Sequence, residues 1–297
     1  MRAPCNTALA TAVLGLALGV PLPAQQSATP AVVRLDAAAT SIVVTASTAL
    51  QSDVAFPVAR ARAARLAAMQ APELLLAFVL ELPATSSARL GALAATSPQL
   101  MEQLATFATR PRLHVASLDR TLSRLQTEYH YPVFAGAAPS LPAGFALIEL
   151  FIEHSRPLAP APVLGFHPTR AFSGVLIYAA GDYPAHGKNG ERQLQQALLP
   201  KVYDEDLEVV YGSAMVEPDA LREWGVVRYA ARLDDLSYVS RIGAFPLRIM
   251  ARGLYGELDT DIIISSAAAR TLLADRANAR ILREGRVVVV VGVGDGE

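Results

Sequence analysis

The residues best suited to chemistry lie in a polar, glycine-containing segment, residues 181–191. Asp182 and His186 stand four residues apart and Glu191 follows, so the three side chains could bind a metal ion or position a general base. Lys188 would add a positive charge beside them. The segment is also rich in turn residues, and this favours a solvated loop. The three side chains are therefore candidate metal ligands, and a plain loop is the preferred interpretation.

The remaining histidines do not form a second metal site. None of the five lies three or four residues from another, the spacing that places two imidazoles on one helix face. The sequence contains a single cysteine, Cys5, so a cysteine-ligated metal is excluded. We expect the protein to bind no cofactor.

A cluster of carboxylates in the second half is the other acidic feature, and its members are Asp204, Glu205, Asp206 and Glu208. A calcium loop would need a Gly at its sixth position and a Glu at its twelfth. Counted from Asp204, these positions hold Val209 and Met215. The pattern therefore predicts a solvated hairpin turn. An acid/base pair would need two unequal environments, and a turn tip provides none.

The glycine-containing motifs of the sequence do not indicate an enzymatic reaction either. The segment 292–296 resembles a phosphate-binding loop, but such a loop must open a helix and none is predicted after it. The sequence has no Gly-x-Ser-x-Gly nucleophile elbow and no P-loop. We expect no enzymatic activity.

The first half alternates between strand-like and helix-like patterns. Ala-rich periodicity predicts a helix from about Ala55, with Pro57 in its first turn, and the apolar run 74–82 is ambiguous. Ser97 and Pro98 are typical of a helix start. The other predicted elements are strands at 32–35, 41–46, 112–116 and 146–153, and helices at 86–95, 97–106 and 118–126.

A proline-rich segment, residues 157–162, separates the two halves. Such proline spacing favours an extended, semi-rigid path, so we place a domain boundary there. The predicted organisation is a first domain at 25–156, a linker at 157–169 and a second domain at 170–297. Both domains mix helices and strands, and the predicted fold class is α+β, or mixed α/β, with two small domains.

The second half has a larger share of strands. The valine run 287–291 predicts a strand buried on both faces in the middle of a sheet. Ser265 is expected to cap a helix over 267–283, and Gly225 and Gly285 to end helices. The other predictions are strands at 173–179, 201–203, 209–212, 226–229, 247–251 and 261–264, and a helix at 218–224.

The N-terminus has the features of a secretory signal peptide. Arg2 precedes an apolar run from Thr7 to Val20, and a small-residue end follows, which predicts cleavage after Ala24. Cys5 lies before the apolar run, so no lipid attachment is expected. An uncut membrane anchor is the alternative, but the run is shorter than the ~20 apolar residues of a spanning helix. The predicted location is the periplasm or the exported cell envelope.

Composition and charge limit the classes of partner that the protein is expected to bind. About half of the 297 residues are hydrophobic and the net charge is −1. This balance favours a folded core over disorder, and it lacks the basic surface that nucleic-acid binding would need. After cleavage no long apolar stretch is expected to span a membrane.

A succession of short segments resembles a group of exported bacterial proteins related to flagellar assembly protein T and the small surface lipoproteins grouped with it. The resemblance is strongest over the last ~130 residues. Where relatives often carry Asp-Ala-Arg-Gly after the first strand, this chain has Tyr178-Ala179-Ala180-Gly181. The segments that carry it are 172–179, 199–205, 208–212, 225–229, 262–265 and 282–290.

The resemblance implies an accessory role in the envelope or in motility, without catalysis. We therefore expect a non-enzymatic exported protein that acts through envelope proteins, with the flagellum as one setting, and the oligomeric state stays open. Two alternatives remain. One is a periplasmic metal-dependent hydrolase centred on His186, and the other is a periplasmic ligand-binding protein that uses a cleft between the halves.

Overall fold

The computed structural model describes residues 31–35, 40–110, 112–137, 146–152, 157–159, 163 and 165–292. The predicted signal peptide, His154 and the glycines after Gly292 lie outside these ranges. The fold is α+β, as predicted, and two units follow one another along the chain.

The first half is a four-stranded antiparallel sheet with helices on one face. Its strands are β1 (Ala31–Leu35), β2 (Ser41–Ala49), β3 (Arg112–Leu118) and β4 (Arg124–Pro132), in the order β1-β2-β4-β3. Three helices connect β2 to β3. They are α1 (Phe56–Glu81), α2 (Leu90–Thr96) and α3 (Pro98–Ala108).

Helix α1 buries one residue in every four along its length, which places them on one face towards the core. The ambiguous run 74–82 continues this helix, because the same spacing carries on past Pro72. By length and composition alone α1 could also cross a bilayer, although core helices of water-soluble proteins have the same properties. The buried positions are Ala59, Ala63, Ala67, Ala71, Leu75 and Val79.

The prediction of a helix over 118–126 is wrong, because a hairpin turn occupies this segment. The Asp119 carboxylate accepts hydrogen bonds from the backbone N–H of Ser123 at 2.8 Å and of Arg124 at 2.9 Å. Leu122 adopts a left-handed conformation with φ of 54°. The chain therefore reverses, and β4 begins at Arg124, within the segment that was expected to be helical.

Three other boundaries differ from the sequence interpretation. Residues 147–151 form a 3-10 helix where a strand was expected, and α2 begins only at Leu90. The predicted helix 267–283 is two helices, because Asp275 caps a new start by accepting a hydrogen bond from Ala277 N at 2.7 Å. The helix start at Ser97 is confirmed, since its hydroxyl accepts a hydrogen bond from Leu100 N.

The second half is built on a mixed seven-stranded sheet. Its first strand along the chain is β5 (Val175–Tyr178). The hairpin of β6 (Asp182–Pro184) and β7 (Glu191–Gln193) follows β5 and forms a separate two-stranded sheet. The other strands are β8 (Val202–Tyr203), β9 (Val209–Tyr211), β10 (Arg228–Ala230), β11 (Leu247–Tyr255), β12 (Asp261–Ile264) and β13 (Val287–Val290). The helices are α4 (Pro218–Trp224), α5 (Val239–Ile242), α6 (Ser266–Leu273) and α7 (Arg276–Arg283).

Strand order in this sheet is β10-β13-β5-β11-β12-β8-β9. Strand β13 pairs in parallel with both β10 and β5 and is buried along its whole length, so the prediction from the valine run is confirmed. Strand β11 is the fourth of the seven. It pairs in parallel with β5 and antiparallel with β12.

The two halves share a single hydrophobic core that extends from Ile42 and Leu75 to Val175 and Val289. The segment after α1 forms backbone hydrogen bonds with the second half. Leu198 N donates to Pro83 O at 3.0 Å, Leu199 N to Ala84 O at 2.8 Å and Leu258 N to Ser86 O at 2.9 Å. The halves are therefore held together by direct packing as well as by the chain that connects them.

The described part of the proline-rich connection follows the surface of the second half. Leu158 N donates a hydrogen bond to Ala214 O at 2.8 Å. The hydroxyl of Thr169 donates to Thr271 O at 2.7 Å. Both contacts fix the path of the connection against the second half.

Candidate functional site

The segment with the candidate metal ligands forms the β6–β7 hairpin and its tip. In this hairpin Asp182 lies opposite Gln193, and Pro184 lies opposite Glu191. Asp182, His186 and Glu191 are all exposed. Within the described ranges, no group of three or more His, Cys, Asp or Glu side chains is arranged to hold a metal ion. The hairpin register therefore separates the three candidates.

The tip of this hairpin is anchored to the turn between β11 and β12. Lys188 Nζ donates to Asp259 Oδ1 at 2.7 Å and to Glu257 O at 2.8 Å. His186 N donates to Leu254 O at 2.8 Å. Lys188 thus has a structural partner, and its charge is neutralised by Asp259.

A row of rings lies beside this anchor. The His186 ring is 5.6 Å from the Tyr255 ring, which is 5.0 Å from the Tyr203 ring. Both distances fall in the range of favourable aromatic pairs. Burial raises the pKa of Tyr203, and the nearby Asp261 and Tyr255 raise it further. These side chains pack against one another.

Asp261 is the most unusual ionisable group near the row, because only 1% of it is exposed. Its Oδ1 accepts a hydrogen bond from Lys201 N at 2.9 Å. Its Oδ2 is buried and has no hydrogen-bond partner among the described residues, although the Ser86 hydroxyl is close enough to lower the pKa. Burial outweighs these contacts and raises the pKa of Asp261.

The acidic cluster at 204–208 is a hairpin turn, as predicted, and it joins β8 to β9. Asp204 Oδ1 accepts hydrogen bonds from Asp206 N at 3.0 Å and Glu208 N at 2.9 Å. Glu205 Oε2 accepts one from Ser266 N at 3.0 Å, at the start of α6. Asp204 therefore stabilises the turn, and Glu205 stabilises the start of α6.

Sequence reasoning missed a buried arginine. Arg241 is 3% exposed, and its guanidinium donates to the carbonyl oxygens of Trp224, Gly225, Val226 and Gly285 at 2.6–3.1 Å. Burial lowers the pKa of Arg241 to about 10, and the charge of Arg228 also lowers it. The carbonyls at the end of α4 take the place of a carboxylate partner.

Sequence reasoning also missed a surface on the central strand, which we call the β11 face and define by Arg248, Met250 and Arg252. All three side chains are exposed, and Met250 is 58% exposed. Ile249 and Ala251 on the opposite face are buried. A parallel strand pair in the middle of a sheet is normally covered on both faces, so this exposure is unusual.

The side chains that pack over this side of the sheet end beside the β11 face. On the same side, Leu176, Ala230, Val288 and Val290 are buried under Tyr238 and Ile242 of the α5 segment. Arg248 pairs with Leu176 and Met250 with Tyr178 in the ladder. The cover therefore protects β10, β13 and β5 and ends before β11.

A bulge further shapes the β11 face. The register with β12 shifts between Ala251 and Gly253, which leaves Arg252 as an extra residue. Among the described residues, the guanidinium group of neither Arg248 nor Arg252 forms an ion pair or a hydrogen bond. Arg248 is near enough to Tyr238 to lower its pKa against the larger effect of burial. Alternation in 247–252 could have indicated the exposure, but the missing cover could not be read from one strand.

Two family models match the chain. Residues 33–137 match the N-terminal domain of Treponema pallidum Tp0624, and residues 174–293 match the second domain of the same protein. Together these matches cover about three quarters of the chain, in the order of the Tp0624 domains. The boundary between them includes the proline-rich connection.

No curated protein matches the chain at a significant level. The two matching models describe domains of Tp0624 only, and nothing in them concerns flagellar assembly protein T or the small surface lipoproteins. The resemblance drawn from the short segments therefore stays a prediction.

Proposed function

We propose that this protein is exported to the bacterial envelope and acts without catalysis, by binding partner proteins through the β11 face. The single observation that supports binding is the exposure of Arg248, Met250 and Arg252 on the central strand of the sheet. An exposed methionine suits a binding surface, because its flexible side chain adapts to different partners.

The two alternative functions lack comparable support. A metal-dependent hydrolase would need the candidate ligands to converge, and the β6–β7 hairpin holds Asp182 and Glu191 at separate, exposed positions. A ligand-binding protein with a cleft between the halves would need open space there. The halves share one core, but open space does lie where they meet, in one pocket of about 220 Å³ beside Phe134 and Trp224 and in another of about 560 Å³ beside Leu150 and Leu199. Neither pocket contains a feature that identifies a ligand, whereas the β11 face has unpaired charge.

Export is tested by fractionation of the bacterium that expresses the full chain. We expect the protein in the soluble periplasmic fraction, with Gln25 as its first residue after cleavage behind Ala24. Recovery of an uncut chain in the membrane fraction would contradict this part of the proposal.

Partner binding is tested by affinity isolation from intact envelopes, followed by identification of the bound proteins. Met250→Glu should lose the partners that the wild type retains, because it places a charge in the middle of the β11 face. Met69→Glu is the matched control, since Met69 is 64% exposed and lies on α1. Equal recovery with both variants would argue against the β11 face.

The flagellum is the proposed setting that is simplest to examine. Deletion of the gene should reduce swimming if the partners belong to the flagellar motor. Normal motility together with a retained set of other envelope partners would remove the flagellar setting and keep the binding function.

A further inference from the structure

We propose that the β11 face binds an acidic, extended segment of a partner protein. This inference rests on the proposed function, because it specifies the chemistry of the partner that the β11 face would bind.

The charge of the face is uncompensated. Arg248 and Arg252 have no carboxylate partner among the described residues, whereas Lys188 and Arg286 on neighbouring elements are paired with Asp259 and Glu284. Guanidinium groups bind carboxylates in a planar, two-point geometry. A partner that carries Asp or Glu would supply the missing negative charge.

The order of side chains suits an extended partner. Arg248 and Met250 are two residues apart, so they project from the same face of β11. Arg252 follows as the extra residue of the bulge, roughly 13 Å from Arg248 by strand spacing. An extended segment with an acidic residue beside Arg248 and an apolar residue beside Met250 matches the regular part of the face, and a further acidic residue near the bulge would meet Arg252.

The borders of the face favour a single protein segment over a flat surface. On the β5 side the cover formed by Tyr238 and Ile242 rises above the sheet. At the other end the β6–β7 hairpin approaches, because a Cβ on Gly253 would lie 3.0 Å from Pro184 O. The face is therefore bounded on the β5 side and at the Gly253 end.

The test uses two fluorescein-labelled peptides of about ten residues, the length of a long strand. One alternates Glu with Thr around a central Leu, and the other carries Lys in place of every Glu. Binding to the full-length mature protein is measured by fluorescence anisotropy at low and at physiological salt. We expect the Glu peptide to bind, the Lys peptide not to bind, and added salt to weaken the complex.

The decisive variant is the double substitution Arg248→Glu and Arg252→Glu. It should weaken binding of the Glu peptide by about tenfold or more, because it replaces attraction by like-charge repulsion. The matched control is Arg270→Glu with Arg276→Glu, which makes the same change of charge at exposed positions on α6 and α7. Thermal unfolding of both variants verifies that they fold.

Five outcomes would overturn the inference. Four of them are no binding of the Glu peptide to the wild type, equal binding of the Lys peptide, equal loss in both double variants, and preferential binding to phosphatidylglycerol vesicles. Self-association that the Arg248→Glu, Arg252→Glu variant abolishes would also overturn it, since a second copy would then be the occupant. If the Glu peptide fails but partners still depend on Met250, the inference falls and the proposed function stands.

Discussion

Asp261 shows how one buried carboxyl can oppose the fold at neutral pH. Its pKa in the folded protein lies above the ordinary value of 3.8, because burial disfavours the charged form. The folded state therefore binds the proton more tightly than the unfolded chain. The contribution of Asp261 to the stability of the fold is complete at low pH, below its ordinary pKa. This contribution is lost as the pH rises through the raised pKa.

We predict that Asp261→Asn stabilises the protein at pH 7, because burial disfavours the charged carboxylate. The amide keeps an acceptor for Lys201 N and removes the buried charge. Urea unfolding of variant and wild type from pH 4 to pH 8 measures the difference, which should grow as the pH rises. Asp206→Asn, at an exposed turn, is the control. A variant that is less stable than the wild type across this range would contradict the assignment.

Arg241 is also a buried ionisable group, but its guanidinium donates hydrogen bonds to four backbone carbonyls. Arg241→Leu should destabilise the protein by roughly 2–6 kcal/mol, because the carbonyl oxygens of Trp224 and Gly225 lose their donor inside the core. The other two carbonyls keep a donor, since Val226 O still accepts from the Tyr211 hydroxyl and Gly285 O from Val287 N. The exposed Arg276→Leu should change little. Guanidinium chloride unfolding measures both. A loss below about 1 kcal/mol for Arg241→Leu would mean that water replaces the guanidinium.

Elements with strong local signals follow the sequence, and the others depend on distant contacts. The local sequence alone predicts three features: the helix cap at Ser97, the end of α4 at Gly225 and the buried valine strand β13. The segment 118–126 does not, because the hydrogen bonds of Asp119 in a turn outweigh a weak helical pattern. The β11 face belongs to the second kind, since its exposure depends on where the α5 cover ends.

The turn at Asp119 provides a test at this scale. Its hydrogen bonds with Thr121, Arg124 and Ser123 lower the pKa of Asp119 to about 2. Stability from this carboxylate is therefore present above the ordinary value of 3.8 and is lost as the pH falls towards 2. Asp119→Asn should flatten that loss between pH 4 and pH 2 when unfolding is followed by circular dichroism. An unchanged acid profile would show that the turn does not depend on the charge.

At the scale of the whole molecule, the shared core couples the two halves. The two domains match separate family models, yet buried residues of both belong to one cluster. We expect a single calorimetric unfolding transition, because neither half can lose its packing without exposing the other. Two resolved transitions in the wild type would contradict this coupling.

The join between the halves offers a variant for the same experiment. Gly256 has φ of 93°, and a Cβ there would lie 2.2 Å from Ser86 Cβ. Gly256→Ala should lower the midpoint of the whole transition. Gly187→Ala is the matched control, because Gly187 also has a positive φ but open space around it. Equal shifts in both variants would show strain alone, without a contribution from the join.

The central claim is that the β11 face meets a partner protein in the envelope. A photo-reactive amino acid at Met250 tests it most directly, with Met69, an exposed methionine on α1, as the control site. Irradiation of intact cells should yield a defined cross-linked protein from Met250 only, joined through a segment rich in Asp and Glu. No cross-link from Met250, or the same products from Met69, would contradict the account.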